Sequence, residues 1–350
     1  MAGDAAAPPR MQRDLRRVSP IDRANERTFL IELILASLPF PSPDPRADRR
    51  AEYAEALAAD GDIEAAVEVL SGALELVPGW AAGWFRLGEF LQRAGRTVAA
   101  GQAWERAIAA DPFDRLGAGL KRDLLRPTGL RESMPPAFVE TLFDQYAGTF
   151  DTALVGKLNY RGPQLILQAL QSGGFTRAGR ALDLGCGTGL MGEALRPHVD
   201  WLGGYDISGG MLAQARRKGV YELLEKRDIS QLQLGENRFD LIVAADVFIY
   251  LGALERIAGW CAGSLNSGGL LAFTVETGSK PVELRESRRF AHSRQYVEGL
   301  LADAGFSGAL VSECVLRQDR GQDVAGLCAV ASPAPLRRDR EPDGEAHALA

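Results

Sequence analysis

The run Ala181-Leu-Asp-Leu-Gly-Cys-Gly-Thr-Gly-Leu190 constrains this 350-residue chain more than any other stretch. It reads as an apolar strand that ends in glycines at alternate positions, Gly185, Gly187 and Gly189. Without Cβ atoms, that backbone can turn sharply and pass close beside a bulky ligand. A strand, a glycine turn and a helix in succession predict an open α/β sheet with its ligand at the carboxyl ends of the strands. The expected ligand is a nucleoside. Gly187-x-Gly189-x-x-Gly192 fits the GxGxxG pattern of dinucleotide sites, and Asp206 lies about the expected distance further on. Two details point elsewhere: the glycines begin at Gly185, and Asp183 stands two places before them. A carboxylate there repels a pyrophosphate and suits a cationic ligand.

The flanking sequence continues the pattern. Residues 201–206 read as a second strand ending in Asp206, with Ile207, Ser208 and Met211 behind it. Arg227-Asp228-Ile229 follows a short third strand, and residues 239–246 form a buried strand that ends in Asp246. Residues 268–276 make a fifth strand, a helix is expected near 292–304, and 309–315 with 324–331 read as a closing hairpin.

These motifs resemble, in register, the class I S-adenosylmethionine (SAM)-dependent methyltransferases, whose first motif reads D-x-G-x-G-x-G. The resemblance implies a Rossmann-like seven-stranded core, set apart from dehydrogenases by the closing hairpin. It implies SAM held by Asp183, Gly185, Cys186, Gly187 and Gly189, with Asp206 on both ribose hydroxyls beside Ile207 and Met211. Asp228 would take the adenine amino group and the Ile229 amide a ring nitrogen, while Asp246 would orient the cofactor or a substrate proton. Each acid has a plainer reading as well. Asp183 can be an ordinary strand-end acid, and Asp206 a helix cap before Ser208. Asp228 can belong to a solvated charged loop, Glu225-Lys-Arg-Asp228.

The net charge of −6 argues against a nucleic-acid partner, which calls for a basic groove. Four widely spaced cysteines and three histidines, with no CxxC pair, predict no metal site and reduced thiols in a cytoplasmic protein. The amino terminus shows no apolar run of the signal-peptide kind. The apolar segment 29–38 is too short for a bilayer, so no membrane association is expected.

An independent signal lies in residues 47–126, where a shift of 34 aligns Gly61 with Gly95, Ala66 with Ala100, Leu70 with Trp104, Ala73 with Ala107 and Pro78 with Pro112. This is similar to the tetratricopeptide (TPR) repeat, and implies an all-α domain of paired antiparallel helices and a possible protein partner. Two repeats bury too little alone. Helices at 21–38 and 114–125 are therefore expected as caps, the first within a capping-helix and proline-rich linker segment, 19–46. Residues 1–18 and 332–350 read as disordered. The methyltransferase-like domain is bounded at 134–331 and opens with lid helices.

Those lid helices begin at Met134. Phe138, Leu142, Phe143, Tyr146 and Phe150 recur at helical spacing, either as a packing stripe or as a lid over a ligand. Phe143-Asp-Gln-Tyr-Ala-Gly-Thr-Phe-Asp151, followed by Leu158-Asn-Tyr-Arg-Gly-Pro163, resembles a bacterial group of predicted methyltransferases with amino-terminal TPR repeats. That resemblance implies that Tyr146 and Arg161 line the mouth of the site. Methyl transfer from a sulfonium is an in-line displacement that needs alignment and exclusion of water, with no metal. A base is needed only for a protonated acceptor. Asp246, His292 and Tyr146 are the candidate catalytic groups, and Arg161 and Tyr250 the candidate substrate contacts; His292 reads equally as a cap or a solvated residue. The implied activity is methyl transfer to a small acceptor, anionic if Arg161 binds it. A protein methyltransferase with a repeat-held target, and an inactive TPR adaptor, are the other readings.

Overall fold

The computed structural model describes residues 40–125, 133–151, 158–319 and 321–333. The expected cap at 21–38 and the expected disordered segment 1–18 lie outside the described residues, as does the expected disordered tail 332–350 save Ser332 and Pro333, which belong to a strand instead. Four helices form two antiparallel pairs: α1 (Pro45–Ala59) with α2 (Ile63–Leu76), and α3 (Ala81–Arg93) with α4 (Thr97–Ala110). The helix α1 starts inside the stretch read as linker. The Asp44 side chain accepts from the Arg46 amide at 2.8 Å, and Pro45 takes the first helical position, where no amide is needed. The aligned glycines Gly61 and Gly95 both turn the chain at positive φ, +92° and +75°. Ala66, Ala73, Ala100 and Ala107 are all buried at the crossings. A Cβ on Gly88 would stand 2.3 Å from Trp104 Nε1, so the small residue of one helix is what admits the indole of the next. That indole donates to the Phe85 carbonyl at 3.1 Å.

The expected second cap is a shorter helix, α5 (Ala118–Leu125), because Asp114 stands outside it at φ +52° and accepts from the Ala118 and Gly119 amides. Leu120 of α5 is fully buried against Met134, Phe138, Leu142 and Phe290. The repeats are thereby docked on the lid helix α6 (Pro136–Tyr146) and on a late piece of the sheet.

Beyond α6 and α7 (Gly162–Ser172) lies the sheet. Strands β3 (Leu223–Lys226), β2 (Val199–Asp206), β1 (Ala178–Leu184), β4 (Phe239–Ala244) and β5 (Leu265–Thr277) run parallel in that order. Helices α8 (Leu190–Leu195), α9 (Gly209–Lys218) and α10 (Glu255–Ser264) supply the crossovers. Leu241 to Ala244 are fully buried, the near-continuous apolar run of a strand covered on both faces. The closing hairpin forms as expected from β8 (Phe306–Asp319) and β9 (Gln322–Pro333), β9 pairing antiparallel with β5. This is the Rossmann-like seven-stranded core.

Two further strands, β6 (Val282–Leu284) and β7 (Phe290–His292), extend the sheet beyond the expected seven, β7 pairing with the end of β5. Consequently the helix expected near 292–304 begins at Arg294 (α11, Arg294–Asp303), with Ser293 accepting from the Tyr296 amide as its cap.

Candidate active site

The glycine turn is built as the sequence demands. Gly185, Gly187 and Gly189 have φ of +65°, +54° and +92°. A Cβ on Gly185 would stand 2.3 Å from Val247 Cγ2, so the turns after β1 and β4 press together there. On Gly187 a Cβ would meet only the Gly185 carbonyl at 4.0 Å, which leaves the middle of the turn open to the cleft. Gly189 caps α8 and does not line the cleft.

Asp206, at the end of β2, is buried. Its Oδ2 accepts from the Gly187 amide at 2.9 Å and its Oδ1 from the Ser208 amide at 2.8 Å. Burial pushes its carboxyl up to about 6 despite those bonds. Asp183 lies beneath the turn and is absent from the cleft wall: its Oδ2 accepts from the Tyr221 hydroxyl at 2.7 Å, and its Oδ1 is buried without a partner. Burial, with Asp206 nearby, pushes this carboxyl up to about 7.

The cleft has two lobes that share Phe143, Gly185, Asp206, Val247 and Tyr250. The larger, about 900 Å³ and open to solvent, holds Cys186, Gly187, Met211, Asp246 and Tyr146. The smaller, about 500 Å³, holds Ile207, Asp228 and Ile229. There Asp228 Oδ1 accepts from the Ser230 amide and hydroxyl. The Cys186 thiol and the Tyr146, Tyr160 and Tyr250 phenols are all raised by burial.

The lid stripe does both things the sequence left open. Leu142 joins the core behind the lid, while Phe143, Tyr146 and Phe150 face the cleft, Phe143 lying edge-on to Tyr250 at 5.4 Å. Asp144 fastens the lid across the start of α9, its Oδ1 accepting from the Ser208 hydroxyl at 2.5 Å and the Gly210 amide at 2.9 Å. Asp151 takes the Thr188 hydroxyl and pairs with Lys218.

Asp246 holds a left-handed backbone, φ +56°. Its Oδ2 accepts from Arg317 Nη1 at 2.7 Å, and its Oδ1 is buried without a partner. Arg317 is 1% exposed and also donates to Glu276. Burial alone would raise the Glu276 carboxyl, but the Arg317, Arg289 and Arg285 charges outweigh it and hold it low.

Besides Asp183 and Gly189, two more expected residues lie off the cleft wall. Arg161 is exposed at the cap of α7 and does not line the cleft; its amide is tied to the Leu316 carbonyl, and Pro163 faces inward instead. His292 stands just ahead of the helix cap Ser293 as expected, but off the cleft wall. It ends β7, is fully buried, is stacked on Tyr296, and has Nε2 2.9 Å from the Gly252 carbonyl. Burial lowers its affinity for a proton. The sequence reading missed Tyr160 and Arg289, both in the cleft wall, and the Asp144 latch. A glutamate within the apolar strand 268–276 was the available signal for a buried cation.

Among the described residues, no group of three or more His, Cys, Asp or Glu is placed to share a metal ion, and no helix is long and apolar enough to cross a membrane. Residues 182–273 match the family model of a methyltransferase domain, and residues 47–90 that of a tetratricopeptide repeat. Over 134 residues the chain is 28% identical to the malonyl-[acyl-carrier protein] O-methyltransferase of Enterobacter lignolyticus, covering 38% of this chain and 53% of that protein. Over 98 residues it is 31% identical to a ubiquinone biosynthesis O-methyltransferase of Coxiella burnetii, covering 27% and 42%. The chain thus spans about half the length, or less, of these curated relatives. The solved N-methyltransferase NodS of Bradyrhizobium japonicum, in complex with S-adenosyl-L-homocysteine, is 21% identical, covers 56% of this chain and 98% of its own, and superposes with a TM-score of 0.46. In its glycine turn, its strand order and the match at residues 182–273 this chain is similar to methyltransferase domains, with tetratricopeptide-like repeats ahead of that core.

Proposed function

We propose that the chain transfers a methyl group from SAM to the oxygen of a small-molecule acceptor in the cytoplasm, with the repeats free to hold a protein partner. The observation that carries this reading is the open glycine turn bound to Asp206, with a lidded lobe on one side and a second lobe that holds Asp228 and Ile229 on the other. Each Asp206 oxygen uses one lone pair on a backbone amide and keeps another for a ribose hydroxyl. Asp228 and Ile229 line the smaller lobe, which supports their reading as contacts to the base. When bound, SAM supplies a methyl carbon made electrophilic by its sulfonium.

The chain's part is alignment and exclusion of water. Phe143, Tyr146 and Phe150 roof the larger lobe, and Tyr250 and Asp246 present polar groups at its inner end. An oxygen acceptor is supported by the two curated relatives, both named as O-methyltransferases. Four free cysteines, three of them buried, suit a reducing compartment. Titration calorimetry with SAM, S-adenosylhomocysteine and NAD tests the reading: the first two should bind, and NAD binding more tightly than SAM would overturn it.

A further inference from the structure

We infer that Arg289 is the acceptor's anchor, and that the acceptor carries a carboxylate on an apolar body. This rests on the methyltransferase reading above. Among the described residues that line the larger lobe, Arg289 is the one cation. It is 8% exposed, so its charge has been taken out of water, which is costly unless it is paired. The pairing it has is partial: it donates to the Tyr250 hydroxyl and shares one carboxylate with two other arginines. Three guanidiniums, those of Arg285, Arg289 and Arg317, converge on the single carboxylate of Glu276. Arg317 holds Glu276 Oε1 in a short bond, whereas Arg289 Nη1 stands 3.7 Å from that same oxygen, beyond hydrogen-bond reach. Arg289 Nε is buried with no partner.

Arg317 is the opposite case. It spans Asp246 and Glu276 from behind the wall and is committed to both. Of the two arginines nearest the cleft, one is structural and one keeps donors to spare. A guanidinium presents its donors as a rigid planar fork that matches the two oxygens of a carboxylate. The rest of the lobe provides apolar contact, from Leu142, Phe143, Phe150 and Leu190.

The acid–base character of the cleft agrees with such an acceptor. The Tyr146, Tyr160 and Tyr250 phenols and the Cys186 thiol are all raised, His292 is sealed behind β7, and Asp246 Oδ2 is held by Arg317. A carboxylate arrives already deprotonated. Its methylation forms one carbon–oxygen bond as the donor's carbon–sulfur bond breaks onto sulfur, and no proton has to be removed.

The test is titration calorimetry on the full chain saturated with S-adenosylhomocysteine, using octanoate, octylamine and octanol as probes of equal length. Octanoate should bind at least tenfold more tightly than the other two. That preference should vanish in Arg289→Gln while S-adenosylhomocysteine affinity stays within about twofold. If Arg289→Gln also loses the nucleoside, Arg289→Lys decides, keeping the preference in weakened form because the charge remains without the fork. Equal binding of the three probes, no binding of any, a preference for octylamine, or a carboxylate preference unchanged in both variants would overturn the inference. Failure of the wild-type chain to bind S-adenosylhomocysteine is a different result and would sink the methyltransferase reading itself.

Discussion

Asp183 is a buried carboxylate with one hydrogen bond, and the cost of keeping it charged can be worked out. Its proton is held up to about 7, against an ordinary value of 3.8. Between those values the folded chain binds more protons than the unfolded one, so apoprotein stability falls as pH rises from about 4 to 7. At 1.36 kcal/mol per pH unit, the fall from this one group is roughly 4 kcal/mol. Asp206, raised to about 6, works in the same direction.

Asp183→Asn removes the charge and keeps an acceptor for the Tyr221 hydroxyl, but buries an amide whose second group lacks a partner, at a cost of about 1–3 kcal/mol. The variant should therefore gain about 1–3 kcal/mol over wild type at pH 8.5, lose about 1–3 kcal/mol at pH 4, and show a flatter profile between. Urea unfolding of the apoprotein across that range measures it directly. SAM, which carries a sulfonium, should lose more affinity for the variant than uncharged-sulfur S-adenosylhomocysteine does. A variant less stable than wild type by the same amount at every pH would refute the reasoning, since it would mean that the charge costs nothing where it lies.

Asp206→Ala should weaken SAM binding at least tenfold by calorimetry. It should also lower stability by about 2–6 kcal/mol in urea, because the Gly187 and Ser208 amides both lose their acceptor; unchanged affinity would make the residue a cap alone. Leu120→Ala should cost about 2–5 kcal/mol and raise the SAM dissociation constant, since Leu120 backs the lid through Phe138 and Leu142. Loss of stability with affinity untouched would show that the repeats support the fold but not the lid.

What was legible in the sequence was what short-range geometry dictates. The repeat register stood out because glycine at the turns and alanine at the crossings are forced by backbone and by contact, as Gly88 against Trp104 shows. The glycine turn and Asp206 were legible for the same reason. The substrate side was not, because it is assembled by pieces with no period. Two three-residue strands between β5 and α11 are too short to show alternation, and Arg285, Arg288 and Arg289 lie in the turn between them, where nothing local marks them for the cleft. The burial of Arg289 goes with Glu276, thirteen residues away, and with the fully buried Phe290 beside it. Arg161 was expected at the mouth from the resemblance and His292 from its place before a helix, and the fold turned one out to solvent and the other into the sheet.

The lid helix α6 is held from two sides. One face roofs the cleft and is pinned at Asp144, while the other grips Leu120 and Phe290. Any shift of that helix either carries α5 and the repeats along or tears Leu120 out of its socket. The position of the cleft's roof is thus a property of the helical domain as much as of the cleft, and a load placed on the repeats is felt at Phe143 and Tyr146.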